Sequence, residues 1–411
     1  MNLPEYNYSN STREIPWFSK LTLLVLFLSL SLGRWGSYIA IVPGFLYLFD
    51  TLLLISVVGT LMKSFKKTSN WIIYTSVGFF IIYNFVRSLE FNTGVVIRDL
   101  APFLYLFLIP TLRTSMAKIE IEMLGKVIVY ATCLHLMWFL PSSVGLLKPT
   151  QVSIAEIPIF SNRSDHSGIV MCMGVAFLGI VLTQFPFRKA LMLIFSLAVI
   201  VSNSRASLLG LLVVYLYIIF IQTKSKQSNG VGGFLSLLLL FAALITPLTS
   251  SPSLQSLLPE NSVMRRLGFV EQNSNAHIIA QGTIRDRVLA WQSLTTWSRD
   301  QSNLFTGVGP GVEMLIESGS VIRLSGNPDV RSPHNWLVSV FSRYGISGIL
   351  IWSFIVFGPI MKKQKKPQMK ALKVSVVSLC VIALFGVIIE SPFGSLPLAV
   401  ILAKLYDDES I

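Results

Sequence analysis

The sequence is poor in charged residues, which make up only 13% of its 411 positions. An average soluble domain has roughly 25%, whereas 53% of this chain is hydrophobic. A water-soluble fold of this length cannot hide so much apolar surface, and the same composition excludes disordered, collagen-like, coiled-coil and disulfide-stabilised proteins. The composition therefore predicts an all-α polytopic integral membrane protein.

The sequence also lacks the signatures of several enzyme classes. It has no glycine-rich phosphate loop, no H-E-x-x-H, no G-x-S-x-G and no D-x-D pair for a divalent metal, which argues against nucleotide hydrolysis, zinc proteolysis and metal-dependent sugar-nucleotide transfer. The cysteines lie in apolar runs without metal or redox spacing, as expected for small core side chains: Cys133, Cys172 and Cys380. We predict no metal site and no cofactor.

Twelve apolar segments are candidates for bilayer-spanning helices, each of which needs about 20 mostly apolar residues. Eleven and thirteen spans remain alternative counts. The first segment has a basic flank at Lys20 but no A-x-A-like cleavage site, so we expect a retained helix rather than a signal peptide. The segments lie near 18–34, 38–61, 70–87, 98–112, 123–140, 166–185, 189–204, 206–221, 231–249, 335–358, 372–390 and 393–406.

Basic residues are distributed unequally between alternate connections. With the N-terminus inside, the inner connections carry 14 basic residues and the short outer ones carry 6. Because basic residues collect in cytoplasmic loops, both termini are predicted to be cytoplasmic, and the net charge of +13 needs no nucleic-acid partner. The inner residues are Lys63, Lys66, Lys67, Arg113, Lys118, Arg188, Lys189, Lys224, Lys226, Lys362, Lys363, Lys365, Lys366 and Lys370; the outer ones are Arg34, Arg87, Arg98, Lys148, Arg163 and Arg205.

Residues 250–334 form one long polar connection on the predicted outer side, and connections of this length are usually functional. The outer basic residues, in this loop and elsewhere, are nearly all arginine. Since guanidinium groups bind phosphate or carboxylate in a fixed, bidentate geometry, they indicate a site for a phosphorylated or acidic ligand. The alternative is pairing with acids of the same loop, which are Glu260, Glu271, Asp286, Asp300, Glu313, Glu317 and Asp329.

His334 is the histidine whose position favours chemistry, because it lies where the long loop meets the tenth segment. Pro333 gives a rigid entry, and Asn335 can cap the helix or orient the ring. A histidine at this boundary can be neutral at physiological pH and act as a general base. An interfacial polar residue without a catalytic role is the alternative, and His135 and His166 are expected to pack or cap within apolar helices.

Three segments together resemble the bacterial O-antigen ligase and O-antigen polymerase superfamily of polyprenyl-diphosphate-dependent glycosyltransferases. VIVSNSRASLLGLLVV (199–214) is similar to the family's Ser-Arg-small segment. TIRDRVLAWQSLTTWSRDQSNLFTGVGPG (283–311) is similar to its R-x-x-x-W…G-x-G stretch, and HNWLVSVFSRYGISG (334–348) to its H-N-x-x-L…G-x-x-G helix start. A weaker similarity is IRDLAPFLYLFLIP (97–110), at a basic helix entrance that contains Arg98.

The resemblance implies a metal-independent transfer at the periplasmic face of the bacterial inner membrane, with 250–334 as a large periplasmic loop. A polyprenyl-diphosphate-linked glycan would be the donor, and a glycolipid or glycan hydroxyl, such as that of lipid A-core, the acceptor. Arg205 and Arg287 would hold the diphosphate, and His334 would serve the acceptor. Arg98 and Asn335 would contribute to substrate binding. A polymerase of the same superfamily is the closest alternative, and nothing in the sequence identifies the acceptor.

The sequence allows more than one role for each of three further residues. The family often has an acid about nine positions after the histidine, where this chain has Arg343; that side chain either enters a polar cavity or pairs with an acid such as Glu390 or Asp50. Arg285 could share the role of Arg287, although on a helix the two point roughly 200° apart. Trp291 could stack on a sugar or pack at the membrane surface.

A transporter or flippase for a lipid-linked glycan is the competing functional class. It would also need outer arginines and no metal. However, transporters usually place ionisable groups near the midplane and show repeated halves. In this sequence only Asp50 is clearly in the middle of a span, and no internal repeat is visible.

Overall fold

Helices dominate the part of the chain that the computed structural model describes, which comprises residues 14–42, 46–65, 71–202, 204–224, 275–324, 331–362, 366–386 and 388–407. The elements are α1 (Trp17–Ser37), β1 (Ala40–Val42), β2 (Leu46–Tyr47), α2 (Leu48–Phe65), α3 (Trp71–Val86), α4 (Thr93–Met116), α5 (Ile121–Ser143), α6 (Ser164–Ile180), α7 (Arg188–Val201), α8 (Arg205–Lys224), α9 (Asn275–Gln301), α10 (Met314–Glu317), α11 (Ser320–Leu324), α12 (Trp336–Met361), α13 (Met369–Ala383) and α14 (Pro392–Asp407).

Eleven of the predicted spans coincide with helices, and the segment 231–249 lies outside the described residues. Within the described ranges, four helices, α1, α4, α5 and α12, are long and apolar enough to cross a membrane. Shorter apolar helices lie at Leu48–Leu61, Trp71–Val86, Ser164–Ile180 and Arg205–Ile221. The prediction of a helical membrane protein is confirmed, whereas the number twelve stays a prediction.

Two predicted segments differ most from the helices of the structure. The segment 38–61 starts with the β1–β2 hairpin, because the backbone near Tyr38 pairs with the connection before α6: Ala40 N donates to Ile154 O at 3.0 Å and Glu156 N donates to Tyr38 O at 3.1 Å. The segment 372–390 is helical only to Ala383. The residues after it lead away from the helix and leave Glu390 in a connection rather than in a span.

Helix α12 is broken at Gly345, where φ is 63° and ψ is −157°. A broken span frees backbone groups that cost several kcal/mol each when unpaired in lipid. Here residues 304–309 pair with them: Val308 N donates to Ser342 O at 2.9 Å, Gly309 N to Arg343 O at 2.8 Å, Ile346 N to Leu304 O at 3.0 Å and Ser347 N to Phe305 O at 3.1 Å. The break is therefore compensated by a second segment of backbone.

The pairing of residues 304–309 with residues 342–347, the interlock, explains one glycine in each glycine motif of the resemblance. Gly307, with φ of 61°, lies so close to α12 that a Cβ on it would come 2.5 Å from the carbonyl carbon of Arg343. A Cβ on Gly345 would clash with the carbonyl oxygen of Leu304. Arg87 completes the arrangement by donating to the carbonyls of Thr306 and Gly307 at 2.8 and 2.5 Å. Gly307 of the G-x-G sequence and Gly345 of the G-x-x-G sequence thus mark two backbones in direct contact.

The predicted long loop contains a 27-residue helix, α9, which the sequence pattern did not indicate. Two hydrogen bonds fasten α9 beside the start of α12: the Trp291 indole donates to Pro333 O at 2.7 Å, and Ser298 Oγ donates to Ser342 O at 2.9 Å. Leu294 joins a small apolar cluster with Val312, Met314 and Leu315. The end of the 250–334 segment is therefore a docked structure, and its periplasmic location remains a prediction.

Candidate functional site

A cavity of about 320 Å³ lies where the end of α1 meets the starts of α4, α12 and α14 and the residues before α6. Its wall is strongly cationic: the charged and ionisable side chains that line it are Arg34, Arg98, Arg163, Arg331, Arg343, His334, Asp99 and Glu390. Residues from five separated parts of the sequence thus meet at one end of the helix bundle. Lys404 lies at the other end, where its Nζ donates to Met116 O at 3.0 Å.

His334 lines this cavity in an unusual backbone conformation, with φ of 57°. Its backbone N–H donates to Ser332 Oγ at 3.3 Å. Burial, together with the positive charges of Arg287 and Arg163, lowers the pKa of His334 to about 4. The ring is therefore neutral at physiological pH, which is the state in which an imidazole can accept a proton.

Asn335 caps α12, as the sequence predicts, because its side-chain oxygen accepts a hydrogen bond from Val338 N at 3.2 Å. The cap orients the first turn of α12, from which Trp336 and Ser339 also reach the cavity. A direct contact between Asn335 and a substrate stays a prediction.

Asp99 organises the cavity wall, although sequence reasoning missed it. Its buried carboxylate lies 3.3 Å from Nε of Arg343 and 3.4 Å from an amino group of Arg331, and it accepts a hydrogen bond from Gly311 N at 3.0 Å. The backbone oxygen of Asp99 accepts from the Tyr344 hydroxyl at 2.7 Å. The available signal was an acid inside the segment 97–110, because intramembrane acids are usually functional or paired.

Arg343 does not pair with Asp50, one of the two acids proposed as its partners, whereas the other, Glu390, lies near enough for the two charges to interact. Arg343 lines the cavity, as one interpretation expected, but it forms its ion pair with Asp99. Asp50 instead accepts a hydrogen bond from Tyr105. Two further hydrogen bonds, to Ser339 Oγ at 2.5 Å and to Arg331 O at 3.2 Å, hold the Arg343 guanidinium in place. Its charge is compensated before any ligand arrives.

Glu390 is a second acid at the cavity that was not predicted as a site residue. Its Oε1 accepts a hydrogen bond from Ser332 Oγ at 2.8 Å. Burial raises its pKa, which the Arg343 charge and the hydrogen bonds from Ser332 and Ser339 partly oppose. Because a raised pKa favours the neutral, protonated form, Glu390 offsets less of the positive charge in the cavity than an exposed carboxylate would.

Three cavity arginines keep much of their binding capacity. Among the described residues, Arg34 and Arg98 have no ion-pair partner, and Nε of Arg34 is buried without a hydrogen bond. Arg163 has only a long contact, 3.8 Å, to Asp165. Arg98 lines the cavity together with Arg34 and Arg163, which the sequence identified only as outer arginines, and substrate binding by Arg98 stays a prediction.

Neither of the two arginines assigned to the diphosphate is among the described residues that line the cavity. Arg287 is close enough to His334 for its charge to lower the histidine's pKa. Arg205 is the first residue of α8, directly after Ser204, which donates to Asp165 Oδ1 at 3.1 Å and accepts from Ser207 N at 3.1 Å. The Arg285 side chain lies outside the described residues.

Trp291 contacts the backbone next to His334, whereas His135 and His166 are packed inside the helix bundle. Trp291 reaches the backbone beside His334 through its indole hydrogen bond. His135 and His166 are buried against the kink at Gly33 and against each other, with ring centroids 5.6 Å apart, which agrees with packed histidines. Within the described ranges, no group of three or more His, Cys, Asp and Glu side chains could hold a metal ion.

Comparison with known proteins gives one positive result. Residues 190–353 match the family described as O-antigen ligase. The three main motif segments, 199–214, 283–311 and 334–348, all lie inside the matched region, so the resemblance seen in the sequence is confirmed. No curated protein matches the chain.

Proposed function

We propose that this chain, whose residues 190–353 belong to the O-antigen ligase family, moves a glycan from a polyprenyl-diphosphate donor to an acceptor hydroxyl at the periplasmic face of the bacterial inner membrane. The observation that supports this proposal best is a neutral histidine, His334, in an arginine-rich cavity at one end of a helical bundle. The acceptor is a glycolipid such as lipid A-core; a growing lipid-linked glycan would make the protein a polymerase.

The chemistry requires one bond to form and one to break. The acceptor oxygen attacks the anomeric carbon of the glycan, the bond from that carbon to the diphosphate oxygen breaks, and polyprenyl diphosphate leaves with the electron pair. His334 takes the hydroxyl proton, a role that typically accelerates a reaction by about 10²–10⁴-fold. Because the leaving diphosphate gains negative charge, preorganised guanidinium groups stabilise the transition state more than the ground state.

In this proposal Arg205 and Arg287 bind the diphosphate. Both belong to the matched region, and the effect of Arg287 on the pKa of His334 supports a position beside the reacting groups. Arg98 provides additional positive charge from the cavity wall, and Arg285 stays a candidate on α9. The leaving group is already a good one, so this reaction needs no acid carboxylate pair and no metal.

His334 variants in purified protein test the proposal. Labelled polyprenyl-diphosphate glycan and lipid A-core are supplied, and transferred glycan is measured with and without EDTA. We expect transfer by the wild type in both conditions, severe loss in His334→Ala, and donor binding largely intact. His334→Gln keeps a hydrogen-bonding side chain that cannot take a proton. Substantial activity in this variant would contradict the base assignment, and a rate that EDTA removes and magnesium restores would contradict metal independence.

Cells that lack the protein distinguish the two possible acceptors. A surface glycolipid profile without long glycan, on an intact core, indicates a ligase. Retention of single repeat units on the core indicates a polymerase. Loss of long glycan with the lipid-linked glycan trapped on the cytoplasmic side would instead favour the transporter class.

A further inference from the structure

The backbone of His334 is held in a strained conformation by contacts from neighbouring residues of the chain and from α9. With φ of 57°, it adopts the left-handed conformation that residues with a side chain rarely use. Strained backbone of this kind persists only where neighbouring contacts over-determine it. Three contacts do so here: Ser332 Oγ receives the His334 N–H, Asn335 caps the following helix, and the Trp291 indole donates to the carbonyl of Pro333.

The Trp291 contact differs from the other two because it comes from outside the local chain. It reaches the peptide group between Pro333 and His334 from α9, at an Nε1–O distance of 2.7 Å. The orientation of this peptide group sets φ of His334, since the group contains the His334 nitrogen. Ser298, about two turns along the same helix, donates to Ser342 O at 2.9 Å and prevents α9 from sliding along α12.

We infer that Trp291 is a positioning residue for His334: its indole N–H fixes the peptide group that aims the imidazole into the arginine-lined cavity. The inference rests on the proposed function for its kinetic consequence. It also explains why Arg287 and Trp291 occur four residues apart. One turn of α9 separates them, so a single face of the helix places a positive charge beside His334 and fixes the backbone on which His334 lies.

The alternative use of Trp291 is stacking on a sugar ring, and the two uses predict different kinetics. A positioning residue acts on the chemical step through His334, so its loss lowers kcat and leaves the KM for donor and acceptor nearly unchanged. A stacking residue binds the substrate in the ground state, so its loss raises a KM. Positioning also predicts that Trp291 and His334 variants are not additive.

The test compares three variants. Trp291→Phe keeps an aromatic ring but has no N–H, and Trp291→His has a ring N–H. Trp297→Phe, on the same helix, is the matched control. Transfer kinetics are measured in purified protein and in the His334→Gln background. We expect Trp291→Phe to lower kcat about 10- to 100-fold, as a small misplacement of a catalytic group does. Trp291→His should retain more of the rate, Trp297→Phe should retain nearly all of it, and Trp291→Phe should add little to His334→Gln.

A second measurement does not depend on transfer activity. Diethylpyrocarbonate modifies accessible imidazoles, and mass spectrometry gives the rate at the peptide that contains His334. We expect faster modification in Trp291→Phe than in the wild type and in Trp297→Phe, because the half-buried ring is released. If the wild type transfers no glycan but this rate responds, the proposed function fails and the positioning role stands. The inference would be overturned if Trp291→Phe kept both the wild-type modification rate and the wild-type kcat. It would also be overturned if Trp291→Phe raised a KM and left kcat unchanged.

Discussion

Asp99 and Arg343 form a buried ion pair, with 3.3 Å between Oδ2 and Nε, that joins α4 to α12 at the cavity wall. Their side chains are 6% and 5% exposed, so both charges are largely removed from bulk water. A buried charge without its partner is far more costly than the absence of the whole pair. We therefore expect the pair to stabilise the fold, an effect that can be measured separately from catalysis.

Asp99→Asn should destabilise the protein strongly, because it leaves Arg343 without its carboxylate partner. Breaking such a pair typically costs about 3–5 kcal/mol, whereas replacing both partners is often nearly neutral. We expect Asp99→Asn to lower the melting temperature in detergent and Asp99→Asn/Arg343→Met to recover part of the loss. Glu122→Gln, which removes the exposed partner of Lys126, is the control. Equal melting temperatures for Asp99→Asn and the wild type would show that the pair is not structural.

Arg287→Lys and Arg205→Lys should reduce transfer by about 10²-fold each, the effect of losing one preorganised donor at a developing oxyanion. Lysine keeps the charge but lacks the planar guanidinium that binds phosphate oxygens in pairs. Arg299→Lys, on the same helix as Arg287 but exposed and paired with Asp300, should keep the wild-type rate. Normal membrane insertion is checked by detergent extraction, and wild-type turnover in the first two variants would refute their role at the diphosphate.

The pH dependence of transfer should extend to unusually low pH. His334 must be neutral to act as a base, so the rate falls as pH drops through its pKa; that pKa is about 4 because of burial and the charges of Arg287 and Arg163. We expect kcat/KM to stay near its maximum down to about pH 5, where an ordinary histidine, with a pKa of about 6.5, would be mostly protonated. A half-maximal kcat/KM near pH 6.5 would contradict this prediction.

The same charges predict a difference between the free and the substrate-bound protein. A bound diphosphate beside Arg287 and Arg163 would offset their effect on the ring and raise the pKa of His334. Since kcat reports the substrate complex and kcat/KM the free enzyme, the acid limb of kcat should lie at higher pH. Identical limbs would place the diphosphate away from these arginines.

The predicted orientation places α9 outside the cytoplasm and Lys118 inside it. A cysteine at Asp300, an exposed position on α9, should react with a membrane-impermeant thiol reagent in cells whose outer membrane alone is permeabilised. A cysteine at Lys118, exposed after α4, should react only after the inner membrane is lysed. The opposite pattern would reverse the topology and with it the side from which the donor binds.

The sequence predicts the helical membrane class and the positions of eleven described helices, because apolar length is a property of each segment by itself. It also predicts His334 at a helix entrance and the Asn335 cap, since both depend on neighbouring residues. It does not predict Asp99 as the partner of Arg343 or Glu390 as a cavity acid. Those contacts depend on which helices pack together, and a single sequence contains no direct signal for that.

Helix α9, in the long polar segment, is also determined by packing partners that a single sequence does not reveal. Low hydrophobicity correctly indicated that 250–334 differs from the spans, but it did not indicate the helix α9. A mostly polar helix that docks through two hydrogen bonds and one apolar cluster has no strong hydrophobic period of its own. Its stability comes from α12 and from residues 312–315, which are its partners in the folded protein.

The interlock at Gly345 has a consequence for biosynthesis. Residues 304–309 leave the ribosome before residues 342–347, so the segment that pairs with the broken helix is already made when α12 enters the bilayer. Each backbone group that the break frees can find its partner as soon as it emerges, rather than waiting for a later segment. The order of these two segments along the chain therefore protects the nascent protein from exposing bare peptide groups to hydrocarbon.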